Sequence, residues 1–417
     1  MEKSYWTWAS SMSEEGMVIV GGGKAGARAV VGLRENGWAG PITLVSDEVL
    51  PPYDRPPLSK AAISDESEPQ PTYLLDDDMI NSLGATFLRG KAATAIDKTG
   101  KTLKLADGAR IPYDRLLIAT GAGPRELSQP GAERSLTLRD FADSVKIRNE
   151  FSSGKRIAII GGGFIGLELA SSAATRGCQV TVIEAQPRIL MRGVTEEISQ
   201  VVAGRHAAAG VTILTGISVA KIEADKVICP DGREIAADIV IAGIGAAPRI
   251  ELAERAGLSI DNGIACNTYL QTSDPNIYAV GDCCSFPHPV FDHRRLRLEA
   301  WRNASDQAIV AVENMLGGTR HYEAVPWFWT DQYELTLQIA GLPDMGHSVV
   351  KRPLRDGAFI LCHFNGDGRL VGASGIGQGN IIARDVRLLE MLIGKRASPD
   401  AAILADPAVQ LKSLLKS

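Results

Sequence analysis

"KRIAIIGGGFIGLELASSAA", residues 155–174, decides the fold. A β-branched, strand-like run enters Gly161-x-Gly163-x-x-Gly166, and the apolar spacing that follows is helical. "MVIVGGGKAGARAVVGL", residues 17–33, repeats the device with Gly21, Gly23 and Gly26. In such a loop the first glycine permits a tight turn and the second lets the backbone approach a pyrophosphate. The third lets helix and strand pack closely, and the anion rests on the helix N-terminus, where free N–H groups and the dipole favour negative charge. One such loop is weak, because glycine turns are common. Here both lie at strand-to-helix junctions, and each is followed, about 20 residues on, by a strand ending in an acid. "PITLVSD" ends at Asp47 and "CQVTVIE" at Glu184, each placed for a ribose hydroxyl pair. The duplication predicts two dinucleotides. Glu184 would repel a 2′-phosphate, so NADH is favoured over NADPH, although Arg188 and Arg192 downstream weigh against that.

A chain of 417 residues is expected to divide into two or three domains. Its 45% apolar and 22% charged content is that of a globular protein, and a net charge of −5 carries no nucleic-acid footprint. No apolar stretch reaches the roughly 18 residues that cross a bilayer, so no membrane association is expected. The opening "MEKSYWTWASSMSEEG" has no continuous apolar region and does not read as a signal peptide. Residues 1–11 are expected to be a mobile extension, with Met12 a plausible alternative start. The six cysteines form no CxxC or CxxxxC, which points to reduced, buried thiols and a cytoplasmic location. The six histidines show no metal spacing, and no metal is expected.

Two further segments make the pattern specific. "YDRLLIATGAGPR" (113–125) is a buried strand ending in a turn where the chain leaves one domain for another, and "LQTSDPNIYAVGDCC" (270–284) ends a strand in Gly281-Asp282. These pieces resemble the two-dinucleotide, glutathione-reductase-like flavoprotein family. The resemblance implies an α/β fold of two Rossmann-like dinucleotide-binding domains, the NADH domain inserted in the FAD domain, plus a C-terminal α+β domain. The expected limits are 12–123 and 247–325 for FAD, 124–246 for NADH and 326–417 for the last domain. It assigns Gly21, Gly23, Gly26, Asp47 and Asp282 to FAD. Gly161, Gly163, Gly166, Glu184 and Gly245, the last in "VIAGIGAAP" (240–248), go to NADH.

Disulfide-using members carry a CxxxxC where this chain has "LPPYDRPPLSK", a run whose prolines Pro51, Pro52, Pro56 and Pro57 argue against helix or central strand. With no thiol relay there, electrons leave by another route. "PYDRPPLSK", "RLEAWRNASDQA" (297–308) and "PWFWTDQYELTLQIAG" (326–341) are similar to the FAD-dependent NADH–ferredoxin reductases of oxygenase systems, of the putidaredoxin reductase and Rieske dioxygenase reductase type. The likeness covers nearly the whole chain and extends to apoptosis-inducing-factor-like proteins, which share "RPPLSK". It implies hydride transfer from NADH to FAD, then one-electron transfer to a [2Fe–2S] ferredoxin in a transient, electrostatic encounter, by a monomer or homodimer. Rubredoxin reductase, NADH oxidase and a slow NADH sensor are the alternatives. Matched positions Arg55, Lys60, Arg139 and Asp282 would contact FAD, as would backbone groups at Ala25, Ala93 and Trp301. Lys24 departs from the uncharged residue usual in the first loop, and is expected to point to water.

The candidate catalytic residues are Lys60, Glu168 and Trp329. A fixed cation beside the flavin ring favours negative charge where it develops, and a buried lysine needs an acidic partner to keep its proton. Glu168 on the second glycine-loop helix is the expected partner. Trp327 and Trp329 share one face of an alternating strand, with Phe328 opposite as core filler. Trp329 is expected near the flavin, on the partner side. "HRRLRLEAWR" (293–302) concentrates Arg294, Arg295, Arg297 and Arg302, a basic run suited to steering an acidic partner.

Overall fold

The computed structural model describes residues 16–191 and 193–415. The expected mobile extension, the Met12 start and Arg192 therefore lie outside the described residues. Three sheets organise the chain. In the first, strands Ala85–Leu88, Ile42–Val45, Gly16–Val20, Arg110–Ile118 and Ile277–Ala279 run parallel, and Thr102–Leu105 and Ala93–Asp97 extend it as an antiparallel meander. Thr212–Thr215, Gln179–Glu184, Arg156–Ile160, Ile239–Ala242 and Ser135–Leu136 form a second, wholly parallel sheet. In sequence it is inserted between the fourth and fifth parallel strands of the first. The two crossings lie side by side, Ala122–Pro124 pairing antiparallel with Ala246–Pro248.

At the centre of each sheet the strands Gly16–Val20 and Arg156–Ile160 are buried on both faces, which is why "MVIV" and "RIAII" read as continuous apolar runs rather than alternating ones. The glycine loops repeat atom for atom. Gly21 N–H donates to the Val45 carbonyl at 2.8 Å and Gly161 N–H to Ile183 at 2.8 Å. A Cβ on Gly26 would sit 2.0 Å from the Gly21 oxygen, and one on Gly166 2.1 Å from the Gly161 oxygen. The third glycines are thus packing requirements of the helices Lys24–Glu35 and Phe164–Thr175.

The third sheet is antiparallel, ordered Trp327–Gln332, Leu335–Gly341, Leu370–Gln378, Phe359–Phe364, Ser348–Pro353. Its central strands are buried on both faces. Ile360 and Cys362 pack with the helix Ala383–Gly394 in the same core as the first sheet. Leu337, Ile339, Phe359, Leu361 and Ile376 face Leu167, Ile198 and Val202 of the second unit. The C-terminal sheet therefore seals both dinucleotide units at once.

The proline run is more ordered than its composition implies. Pro56–Ser59 forms a 3₁₀ turn with proline in its first positions, where a missing N–H costs no hydrogen bond, and Ala61–Ser64 adds one helical turn. Among the described residues no helix is long and apolar enough to cross a membrane, and no group of three or more His, Cys, Asp or Glu side chains is placed to hold a metal ion. All six cysteines are buried free thiols.

Candidate functional site

One cavity of about 1180 Å³ runs between the two glycine loops. It exceeds the about 300–1,000 Å³ of ordinary small-ligand clefts, and so suits two nucleotides end to end. Its wall includes Gly21, Gly23, Ala25, Asp47, Arg55, Lys60, Arg139, Asp282 and Trp301 around the first loop. Around the second it includes Gly161, Gly163, Glu168, Glu184 and Gly245, with Trp329 also on the lining. Gly26 and Gly166 stand behind this wall as packing glycines. Ala93 is not part of it: it opens a strand, paired with Leu105.

Both glycine-loop helices start without a side-chain cap and without an acid in the first turn. Their leading N–H groups therefore await an acceptor, and a Cβ on Gly23 or Gly163 would meet nothing within 4 Å. Two uncapped N-termini facing one cavity fit two pyrophosphates. Sheet register separates the two acids that the sequence makes look equivalent. Val20 aligns with Val45 and Ile160 with Ile183, so the counterpart of Glu184 is Ser46, and Asp47 lies one residue beyond. Glu184 accepts from the N–H of Gly162 and of Gln186, each at 2.7 Å, which holds its carboxylate at the loop. Asp47 is more exposed and pairs with Arg249 at 3.2 Å. Arg188 is occupied by carbonyls of its own loop, including Val194 at 2.8 Å.

Deeper in the cavity, Arg55 is paired with Glu48 and donates to the Arg139 carbonyl at 2.8 Å. Glu48 also accepts from the Tyr53 hydroxyl at 2.5 Å. Burial lowers the Arg139 guanidinium and raises the Asp282 carboxyl from their ordinary ranges, and the 3.9 Å between them offsets this only in part. The centre is the ion pair expected from the sequence: Lys60 Nζ lies 2.7 Å from Glu168 Oε1. The carboxylate is 3% exposed and carries two further donors, Ser59 at 2.5 Å on Oε2 and Thr330 at 2.5 Å on Oε1.

The aromatic side differs from expectation at Lys24 and adds to it at Phe328, which packs against the Leu337–Ile339 cluster as expected. Trp327 and Trp329 do share a face and stack, 5.2 Å between centroids at 22°. Phe328, expected as core filler, also lines the cavity and lies 4.5 Å from the ring of Phe164. Lys24 does not simply reach for water: its Nζ sits 3.8 Å above the ring of Trp301, whose indole N–H donates to Asp54 at 2.7 Å, and burial lowers the ammonium from its usual range. Trp301 in turn meets Trp329 edge-on at 6.2 Å. The arginine run is largely neutralised. Arg294 pairs with Asp344 at 2.7 Å, Arg295 with Asp261 at 3.1 Å, Arg297 with Glu299 at 2.6 Å and Arg302 with Glu390 at 2.5 Å. Sequence reasoning missed Ser59, Thr330, Glu48 and the acids that cover this run, because all but Ser59, Glu48 and Glu299 come from distant segments and none carries a local motif.

A duplicated nucleotide fold, two uncapped loops on one cavity and a lysine paired with a buried carboxylate between them define a two-nucleotide oxidoreductase. Residues 16–308 match the family described as Pyridine nucleotide-disulphide oxidoreductase, and residues 327–415 match Reductase C-terminal. The chain belongs to the pyridine nucleotide-disulphide oxidoreductase family. It is 36% identical over 416 residues, 97% of each chain, to putidaredoxin reductase CamA of Pseudomonas putida. It is 35% identical over 412 residues to the ferredoxin–NAD(+) reductase component of the anthranilate 1,2-dioxygenase system of Burkholderia cepacia, covering 97% of this chain and 100% of that one. The crystal structure of the covalent putidaredoxin reductase–putidaredoxin complex superposes with a TM-score of 0.91 at 35% identity, over 96% of this chain and 98% of that chain.

Proposed function

We propose that this enzyme passes electrons from NADH, by way of FAD, to a [2Fe–2S] ferredoxin that supplies an oxygenase, either a Rieske dioxygenase or a cytochrome P450. The observation that carries the reading is the Lys60–Glu168 pair, set between two uncapped glycine loops in a cavity with no cysteine on its wall. When bound, FAD accepts hydride and releases electrons singly, which couples a two-electron donor to an iron–sulfur partner. The N–H groups opening the helix Lys24–Glu35, with Arg55 and Arg139, hold its pyrophosphate end, and Asp282 and Asp47 take hydroxyls. Lys60 presents a fixed cation at the flavin ring. Gly161, Gly163 and Glu184 hold NADH, and the domain limits 12–123 with 247–325, 124–246 and 326–417 belong to the same reading. Six buried free thiols accord with a cytoplasmic setting.

Replacing Glu184 by Ala is expected to lower kcat/KM for NADH about 10-fold while leaving NADPH nearly unchanged, the worth of one or two charge-assisted hydrogen bonds. Steady-state kinetics with both nucleotides measures it. Trp329 serves the exit of electrons. Trp329→Ala is expected to cut cytochrome c reduction through ferredoxin several-fold more than ferricyanide reduction; equal losses would mark it as packing alone. The encounter with ferredoxin is transient and electrostatically steered. Because each arginine of 294–302 has an acid partner, its rate should fall with salt less steeply than four free cations would require. Stopped-flow mixing with NADH and a ferredoxin tests the whole: rapid reduction followed by transfer supports it, and slow reduction with a long-lived charge-transfer band favours an NADH sensor.

A further inference from the structure

A line of buried side chains runs from the Lys60–Glu168 pair into the third domain and ends at a histidine of the second. Thr330 Oγ1 lies 2.5 Å from Glu168 Oε1, Gln332 Nε2 lies 3.4 Å from Thr330 Oγ1, and His206 Nε2 lies 2.8 Å from Gln332 Oε1. Glu168, Thr330, Gln332 and His206 are each at most 3% exposed. Glu168 belongs to the helix Phe164–Thr175, Thr330 and Gln332 to the strand Trp327–Gln332, and His206 to the helix Glu196–Ala208. Nothing in the transfer of hydride itself calls for Thr330, Gln332 or His206.

The donors in this line point one way. A carboxylate paired with an ammonium only accepts, so the Thr330 hydroxyl spends its proton on Glu168. Thr330 can then receive from Gln332 only through the amide NH₂ group. That turns the Gln332 carbonyl toward His206, whose ring proton must sit on Nε2. The remaining ring nitrogen, Nδ1, has no partner and is left as a bare lone pair, and burial lowers the imidazole from its ordinary range, in the direction of the neutral ring. The ring is held edge-on to Tyr333 at 5.1 Å, with Arg205 stacked on the same tyrosine at 3.9 Å.

We propose that Thr330 is a positioning residue that fixes the rotation of the Glu168 carboxylate beneath Lys60, and that Gln332 and His206 set the direction of its hydroxyl. Without Thr330, Oε1 keeps only the lysine and the carboxylate is free to turn about the Ser59 bond. The C-terminal domain thereby supplies part of the nucleotide site although it carries neither glycine loop. The inference rests on the Lys60–Glu168 pair serving flavin reduction.

The test uses the holoenzyme. Thr330→Val keeps the shape and removes the hydroxyl; it should slow flavin reduction at saturating NADH about 10-fold, the worth of one hydrogen bond to a charged group, with the NADH dissociation constant changed by less than about twofold. Thr330→Ser should restore most of the rate. Nitrogen-15 spectra of histidine-labelled wild-type enzyme should show His206 neutral and protonated on Nε2. A wild-type rate in Thr330→Val, equal losses in Val and Ser, or a charged or Nδ1-protonated His206 would each overturn the relay. Glu168→Gln is measured alongside: an unchanged rate there would instead remove the reading on which the relay rests.

Discussion

Glu168→Gln is expected to slow flavin reduction by NADH about 100-fold, the scale on which loss of one preorganised electrostatic partner is felt at a reacting centre. The amide keeps the volume, but with one oxygen it can accept from only one of the two hydroxyls, Ser59 on Oε2 and Thr330 on Oε1. It cannot neutralise Lys60, whose ammonium lies 2.7 Å from Oε1 and is left beside an uncharged group in a site largely shielded from water. Lys60→Met should have a similar effect. The double variant should be little worse than either single one, because two residues acting as a unit lose their joint contribution once. Rapid-mixing absorbance of the flavin measures all three, and a full additive loss in the double variant would show that the residues act separately.

Gly21→Ala is expected to remove FAD from the protein and destabilise the fold as well. At φ +123 an L-residue is strained, and its Cβ would lie 2.1 Å from the Ala119 carbonyl oxygen, a backbone atom with nowhere to go. Strain and overlap together amount to roughly 3 kcal/mol or more. Gly23→Ala separates the two roles. Its Cβ meets nothing within 4 Å and its backbone is extended, so stability without nucleotide should change by less than about 0.5 kcal/mol. FAD content should still fall, because the new methyl group projects where the pyrophosphate approaches. Flavin absorbance per protein and urea midpoints of FAD-stripped enzyme check both; equal midpoints for the two variants would contradict the clash.

What could be read in the chain was whatever local physics writes locally. Glycine at fixed spacing between a buried strand and a helix has one economical explanation, so both loops, the inserted sheet and the Lys60–Glu168 pair were legible. The pair was so only through family likeness, since nothing near Lys60 names a partner more than one hundred residues away. Contacts that depend on how domains settle left no trace. Thr330 reaches Glu168 across a separation of 162 residues, and its neighbours in sequence are unremarkable for a strand. The arginine run looked cationic because its acids, Asp344, Asp261 and Glu390, arrive from elsewhere. Lys24 looked solvent-bound because Trp301 is far along the chain. Asp47 and Glu184 looked equivalent because only strand register shows that Ser46, not Asp47, stands where Glu184 does.

The C-terminal sheet, apolar on both faces, bears on how such reductases are recombined. A graft at residue 326 looks natural from the sequence, since a new unit begins there. Such a graft would exchange Trp329 together with Thr330, and with Leu337, Ile339 and Leu361, which close the core of the nucleotide unit. On the roles proposed for Trp329 and Thr330, choice of electron acceptor and tuning of the hydride site would be inherited as one piece, and a chimera that changes its ferredoxin would also change its own chemistry.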